Sequence, residues 1–221
     1  MKLIIGNKNY SSWSLRPWLL MRQAGIPFDE EVIRFTAPDF KVRVRRHSPA
    51  GKVPVLIDGD VVIWDSLAIV EYLAETRPDK RLWPDGVAAR ARARSLCAEM
   101  HAGFPSMRQR MPMNVSLRLS GVLFDVEVQR NVARVIDIWT GCRRQAAGDG
   151  PFLFGRFTIP DAYYAPVVRR FFTYGVALPE VARAYADAVD ALPAMQEWIA
   201  AAATENDFFI DDEPYREPPA G

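Results

Sequence analysis

At 221 residues the chain is long enough for one large domain or two small ones sharing an interface. Apolar residues make up 49%, charged residues 25% and the formal net charge is +1, so no overall field steers the molecule toward nucleic acid or an anionic membrane. Two cysteines, Cys97 and Cys142, make no disulfide framework and fit a reducing cytoplasmic setting; the opening MKLIIGNKNY is too short for a signal-peptide core, and no apolar run approaches membrane-spanning length.

Leu3–Gly6 is a brief buried strand ending in the polar loop Asn7–Tyr10. Leu15, Trp18 and Leu19 stand at i, i+3 and i+4, the start of an apolar helix face that Arg22 interrupts. Pro17 is tolerable because it falls in the first turn, and Gly25 with Pro27 beyond it is a stop signal. Phe28–Phe35 follows as a strand; Val53–Ile57 and Val61–Trp64 form a hairpin around Asp58-Gly59-Asp60. Ser66–Glu75 is a second helix, closed by Arg77-Pro78. The basic residues of Lys41–Arg46 and Arg90–Arg94 alternate with apolar ones and read as solvated helix faces.

Beyond Pro78 the pattern changes. The boundaries fall at 1–78 for an α/β domain, 79–87 for a linker, 88–210 for an all-helical domain and 211–221 for a mobile, proline-containing tail. Ala93, Leu96, Met100, Phe104, Met107 and Met111 keep helical spacing, with Pro105 kinking that helix; Val128, Val132, Val135, Trp139 and Cys142 mark another. Shorter helices are expected around Asp161–Tyr174, Glu180–Ala191 and Ala194–Ala203. The fold class is therefore α/β followed by all-α.

Four stretches, in order, resemble one family. Ser11-Ser12-Trp13-Ser14-Leu15-Arg16 looks like the Ser-Ser-Cys-Ser-x-Arg opening of zeta-class glutathione transferases, with tryptophan in place of cysteine. Ser48-Pro49-Ala50-Gly51-Lys52-Val53-Pro54-Val55-Leu56 is similar to their segment before the third strand, and Trp64–Leu73 to their serine-led helix. Thr158-Ile159-Pro160-Asp161 resembles the Ser/Thr-x-x-Asp box of their helical domain, a capping-box variant with a folding role. The resemblance implies a thioredoxin-like domain that binds glutathione as co-substrate, a helical bundle that completes a pocket for a small apolar electrophile, and a homodimer.

The chemistry such a site needs is specific. A free thiol has a pKa near 8.5, so about 3% is thiolate at pH 7, and lowering that pKa by about two units makes most of it nucleophilic. A hydroxyl at the positive end of a helix supplies stabilisation of that kind. Ser11 is the candidate hydroxyl, Ser12 the helix cap, and Tyr10 a rival. By resemblance, a cis bond before Pro54 turns Val53 outward to pair with glutathione's backbone, Ser66 holds the γ-glutamyl carboxylate, Asp65 faces its ammonium, and Lys52 pairs with the glycine carboxylate or is solvated. Asp65 replaces the longer Glu or Gln of many relatives.

Met100, His101, Phe104, Arg108 and Met111 are the candidate electrophile wall, with His101 and Arg108 two helical turns apart on roughly one side; the same stripe fits bundle core. Residues 1–96 hold no cysteine, which removes glutaredoxin-type thiol exchange, and two histidines with no Cys–His cluster indicate no metal site. Conjugation of glutathione to an electrophile, as in detoxification, is the leading function. Isomerisation of a maleyl-type diacid is its alternative, although Trp13 stands where those isomerases carry cysteine. A glutathione-transferase-like binding protein without chemistry is the third.

Overall fold

The computed structural model describes residues 1–146 and 148–216. The N-terminal third builds one four-stranded sheet from β1 (Lys2–Ile5), β2 (Asp29–Val32), β3 (Val55–Asp58) and β4 (Val61–Trp64), in the order β2-β1-β3-β4. β1 runs parallel to β2, with Leu3 opposite Glu30, and antiparallel to β3, with Ile4 opposite Val55. β3 and β4 form the expected hairpin, Leu56 opposite Ile63.

Because side chains alternate across a strand, β1 serves two cores. Leu3 and Ile5 point into a large cluster with Trp18, Leu19 and Val70, whereas Ile4 joins Ile33, Val44 and Val55 on the other face. That second, smaller cluster is covered by α2 (Phe40–Arg45), the helix whose basic face was expected to be solvated. The large cluster is covered by α1 (Ser12–Gln23) and α3 (Ser66–Thr76). Arg22 interrupts the apolar stripe of α1 without loss of packing: its guanidinium lies over the Trp18 and Phe28 rings, at 5.4 and 4.8 Å.

From α3 onward the described chain is helical: α4 (Val87–Ala102), α5 (Pro105–Arg110), α6 (Val126–Gln145), α7 (Ile159–Thr173), α8 (Glu180–Asp190) and α9 (Pro193–Ala202). Pro105 does more than kink a helix. The chain breaks at Gly103, where an added Cβ would lie 2.6 Å from the Glu99 carbonyl, and at Phe104, which adopts φ 58°; Pro105 then opens a new helix. α7 is buried at every position except the half-buried Phe172 and runs through the middle of the large core. Its side chains satisfy the carbonyls of the irregular segment after α5: Arg170 Nε donates to Met111 O (2.7 Å), Arg169 Nη2 to Val115 O (3.0 Å) and Thr173 Oγ1 to Asn114 O (2.7 Å).

The expected tail differs over its described part. Two of its residues make contacts with the body of the protein: the Glu213 side chain is buried and accepts the Tyr10 hydroxyl at 2.8 Å, and Tyr215 donates to Arg110 O at 2.8 Å. The remainder, residues 217–221, lies outside the described residues. Among the described residues no helix is long and apolar enough to cross a membrane, and no group of three His, Cys, Asp or Glu side chains converges as a metal site.

Candidate active site

Two cavities meet at the N-terminus of α1 and share Trp13, Lys52 and Val53. The first, of about 460 Å³, is completed by Ala50, Pro54, Trp64, Asp65, Ser66 and His101. The second, of about 340 Å³, is completed chiefly by Tyr10, Ser11, Ser12, Arg108, Arg170 and Asp212.

The loop Asn7–Tyr10 that leads into α1 is pinned from far along the chain. Glu205 accepts from the backbone N–H of Lys8 (2.8 Å) and Asn9 (3.0 Å), and Trp198 Nε1 donates to Lys8 O (2.8 Å). Asn7 Nδ2 donates to Asp207 at 3.0 Å. This fixes where α1 starts. Ser11, 4% exposed, is the N-cap residue and Ser12 the first helical residue, so the capping role expected of Ser12 belongs to Ser11. The Ser11 hydroxyl donates to Ser14 Oγ at 2.7 Å, and Ser14 Oγ also accepts the Gly6 N–H at 3.1 Å. Ser12 Oγ instead accepts from Arg170 Nη2 at 3.2 Å.

Tyr10 is differently placed. Its hydroxyl lies 2.8 Å from Glu213 Oε1 and 2.9 Å from Asp207 O, and burial together with the Glu213 carboxylate pushes its pKa up to about 12. A phenol whose proton already faces a carboxylate is a poor donor to a second anion.

The peptide bond between Val53 and Pro54 is cis. On the opposite wall of the first cavity Asp65 holds φ 74°, a conformation that costs a non-glycine residue about 1–3 kcal/mol and recurs at functional sites. Its Oδ1 accepts the Leu67 N–H at 2.8 Å, capping α3. Ser66, the first residue of α3, is buried, with Oγ 3.0 Å from the Tyr163 hydroxyl of α7. The first cavity therefore ends at a helix N-terminus, where unpaired N–H groups and the helix dipole suit an anion.

Cations without carboxylate partners lie along the second cavity and against Trp13, which both cavities share. Arg16 is fully buried, none of its guanidinium nitrogens has a hydrogen-bond partner, and the group is held between the rings of Trp13 (3.9 Å) and Tyr163 (4.6 Å). Burial lowers its pKa to about 10. Arg170, 4% exposed, also has its pKa lowered to about 10 by burial, and its Nη1 is unpartnered. Arg108 bonds to the carbonyls of Met100 and His101 (3.2 Å each) and Gly103, and burial lowers its pKa too. The acid lining the second cavity with them, Asp212, is pushed up to about 6, chiefly by burial. The site is electropositive where an anion is to be held.

The candidate residues divide accordingly. Ser11, Ser12 and Tyr10 are brought together in the second cavity, Pro54, Asp65 and Ser66 in the first, with Lys52 and Val53 common to both. The electrophile wall is redrawn. Met100 and Met111 are fully buried and Phe104 is buried with them in the core cluster, lining neither cavity, because their helical stripe faces the bundle interior. His101 and Arg108 are not on one side of a single helix: the break at Gly103–Phe104 sends His101 to the first cavity and Arg108 to the second. Arg170 and Asp212 were absent from the expected site. The paired basic residues Arg169-Arg170 inside an otherwise apolar helix were the available signal for the first; nothing local marked the second.

Comparisons with known proteins agree with this fold. Residues 10–76 match the family model "Glutathione S-transferase, N-terminal domain", and residues 125–201 match "Glutathione S-transferase, C-terminal domain". The chain is 27% identical to glutathione S-transferase Z1 of Arabidopsis thaliana, over 86% of this chain and 89% of that protein. It is 33% identical to a probable maleylacetoacetate isomerase of Caenorhabditis elegans over 42% of each chain, so that match spans less than half of the relative's length. Among solved structures it is similar to a maleyl pyruvate isomerase described as a bacterial zeta-class glutathione S-transferase, with TM-score 0.70 and 23% identity, covering 94% of this chain and 99% of that one. A sphingomonad glutathione S-transferase complexed with glutathione aligns with TM-score 0.63 and 20% identity, over 93% of this chain and 100% of the other. With a four-stranded α/β domain followed by a helical one, and both halves matching the same family in order, the chain belongs to the glutathione S-transferase family.

Proposed function

We propose that this protein is a glutathione transferase in which the first cavity holds the glutathione backbone and the second holds the electrophile, with Ser11 as the hydroxyl that stabilises the thiolate. The observation that carries the reading is the N-cap hydroxyl of Ser11, at the start of a 12-residue helix, on the wall of the cavity that joins the Pro54–Ser66 cavity. The fit to glutathione rests on charge as well as space: the helix N-terminus at Ser66 and the Lys52 ammonium, both on the first cavity, favour its carboxylates.

When bound, glutathione supplies a thiolate that forms a C–S bond to the electrophile as a leaving group such as chloride departs with its bonding pair. The chain's own residues prepare that step. The Ser11 hydroxyl, free to rotate, exchanges Ser14 Oγ for the sulfur. The N–H groups of the first turn of α1 and the Arg108 and Arg170 guanidinium groups add positive potential around it. Ser66 and the first N–H groups of α3 would receive the γ-glutamyl carboxylate, Asp65 the ammonium, Val53 the cysteinyl backbone and Lys52 the glycine carboxylate.

A second reading has its own support. Arg108 and Arg170, neither paired with a carboxylate among the described residues, line the electrophile cavity and fit an anionic co-substrate, as an isomerase of a maleyl-type diacid needs. Trp13 lines the same cavity at the position where the resembled isomerases carry cysteine, which argues for conjugation. A homodimer is also proposed: Val61, Val62 and Trp64 of edge strand β4 are exposed apolar residues.

The test is retention on immobilised glutathione combined with turnover of a neutral aryl chloride and of a maleyl diacid. Retention with chloride release supports conjugation, cis–trans conversion without net glutathione consumption supports isomerisation, and retention with neither contradicts both.

A further inference from the structure

His101 lies with Asp65 rather than with the electrophile. Its Nε2 is 3.3 Å from Asp65 Oδ2, across the interface between α4 of the helical domain and the start of α3. The imidazole is held from two sides, edge-on to Trp13 with centroids 5.3 Å apart and tilted against Tyr163 at 6.5 Å. Nδ1 is buried without a partner, so Nε2 is the nitrogen that meets an acceptor. Asp65 Oδ1 is already engaged by the Leu67 N–H at 2.8 Å.

The aspartate needs such a neighbour. Its side chain is 48% exposed, and it is one methylene shorter than Glu or Gln, so a small change of rotamer turns its carboxylate into solvent. A carboxylate has about four lone-pair sites; the Leu67 N–H occupies one, and His101 Nε2 approaches Oδ2 as a polar contact outside hydrogen-bond geometry. The remainder stay open to a cation in the cavity that Asp65 and His101 both line.

We infer that His101 is a positioning residue for glutathione recognition: it braces Asp65 so that the carboxylate meets the α-ammonium of the γ-glutamyl group. The inference rests on the first cavity being the glutathione site. It assigns to the helical domain a share in choosing glutathione over thiols that lack that ammonium, and it removes His101 from the electrophile wall.

The test compares dissociation constants for glutathione and for its deaminated analogue, glutaryl-cysteinyl-glycine, read by tryptophan fluorescence or calorimetry. For His101→Ala, glutathione binding weakens about fivefold, the scale of losing a half-exposed contact to a charged group, and analogue binding changes less than about twofold. His101→Gln, whose amide N–H can replace Nε2, recovers most of the loss. In an Asp65→Asn background, His101→Ala adds less than about twofold. Failure of the wild-type protein to bind either compound overturns the glutathione reading itself. With wild-type binding intact, equal weakening of both ligands, no weakening of either, or a full His101→Ala effect in the Asp65→Asn background overturns the bracing role.

Discussion

Tyr10→Phe removes one oxygen and distinguishes two hydroxyls that stand side by side in the sequence. In the folded protein that oxygen bonds Glu213 Oε1 at 2.8 Å and Asp207 O at 2.9 Å, and Glu213 is 2% exposed with its other oxygen unpartnered. Its loss leaves a buried carboxylate with Arg216, at 3.1 Å, as its remaining ion pair. A hydrogen bond to a charged group contributes about 1.5–3 kcal/mol, so the variant should be less stable by ~2 kcal/mol at pH 8. The sign of the pH dependence follows from burial of the phenol, reinforced by the same contact. The folded pKa is raised to about 12 from an unfolded value of 10.0, so the native state holds its proton longer. The contribution is fully present below pH 10 and is lost as the pH rises toward 12. Two units correspond to ~2.7 kcal/mol, reduced to ~1–2 kcal/mol by solvent screening near the surface. Urea unfolding of both proteins between pH 8 and 11 measures the gap, which should narrow above about pH 10. The acidity of the glutathione thiol bound to the variant should be unchanged. Unaltered stability combined with a lost thiol shift would refute the reasoning and exchange the roles of Tyr10 and Ser11.

Asp161→Ala removes the acceptor for the N–H groups of Leu153 (2.9 Å) and Thr158 (2.8 Å), both buried, and should cost ~2–5 kcal/mol in chemical denaturation. Glutathione affinity of the folded fraction should not move. Arg170→Met should lower kcat/KM for a carboxylate-bearing electrophile about tenfold or more relative to its neutral ester, measured at saturating glutathione. Equal loss for both would show that Arg170 supports the fold rather than the substrate. Burial raises the thiol pKa of both Cys97 and Cys142, so neither should be alkylated in the native protein at pH 7 over a period that consumes free cysteine; mass spectrometry checks this.

Local signals carried much of the fold. The i, i+3, i+4 spacing of Leu15, Trp18 and Leu19 and the Asp-Gly turn of the hairpin are short-range features, and they lie where the α1 helix and the β3–β4 pair are found. Pro54, Asp65 and Ser66 were identifiable by resemblance because they occur in contiguous motifs. What escaped was conformation and distance. Nothing in the Asp65 side chain announces φ 74°, and helical periodicity carries the eye across Gly103–Phe104, where the backbone breaks. That continuity joined His101 to Arg108 and made a pocket wall of methionines that are core. The polar, proline-containing segment after residue 210 resembles a free tail, yet Glu213 meets Tyr10 across 203 residues, a contact no local pattern encodes. Arg170 was hidden for a related reason: a charge inside a buried helix makes sense only once the cavity it lines is known.

The thiol of bound glutathione offers the most direct measurement. Titrating its ultraviolet thiolate absorbance on wild-type protein and on Ser11→Ala, Ser12→Ala and Tyr10→Phe variants reads the hydroxyl that stabilises the anion. The wild-type thiol should titrate about two units below its free value near 8.5. Ser11→Ala alone should return it most of the way while binding glutathione within a few-fold of wild type. An unchanged thiol pKa in Ser11→Ala, or a return produced by Ser12→Ala or Tyr10→Phe instead, would contradict the assignment of Ser11.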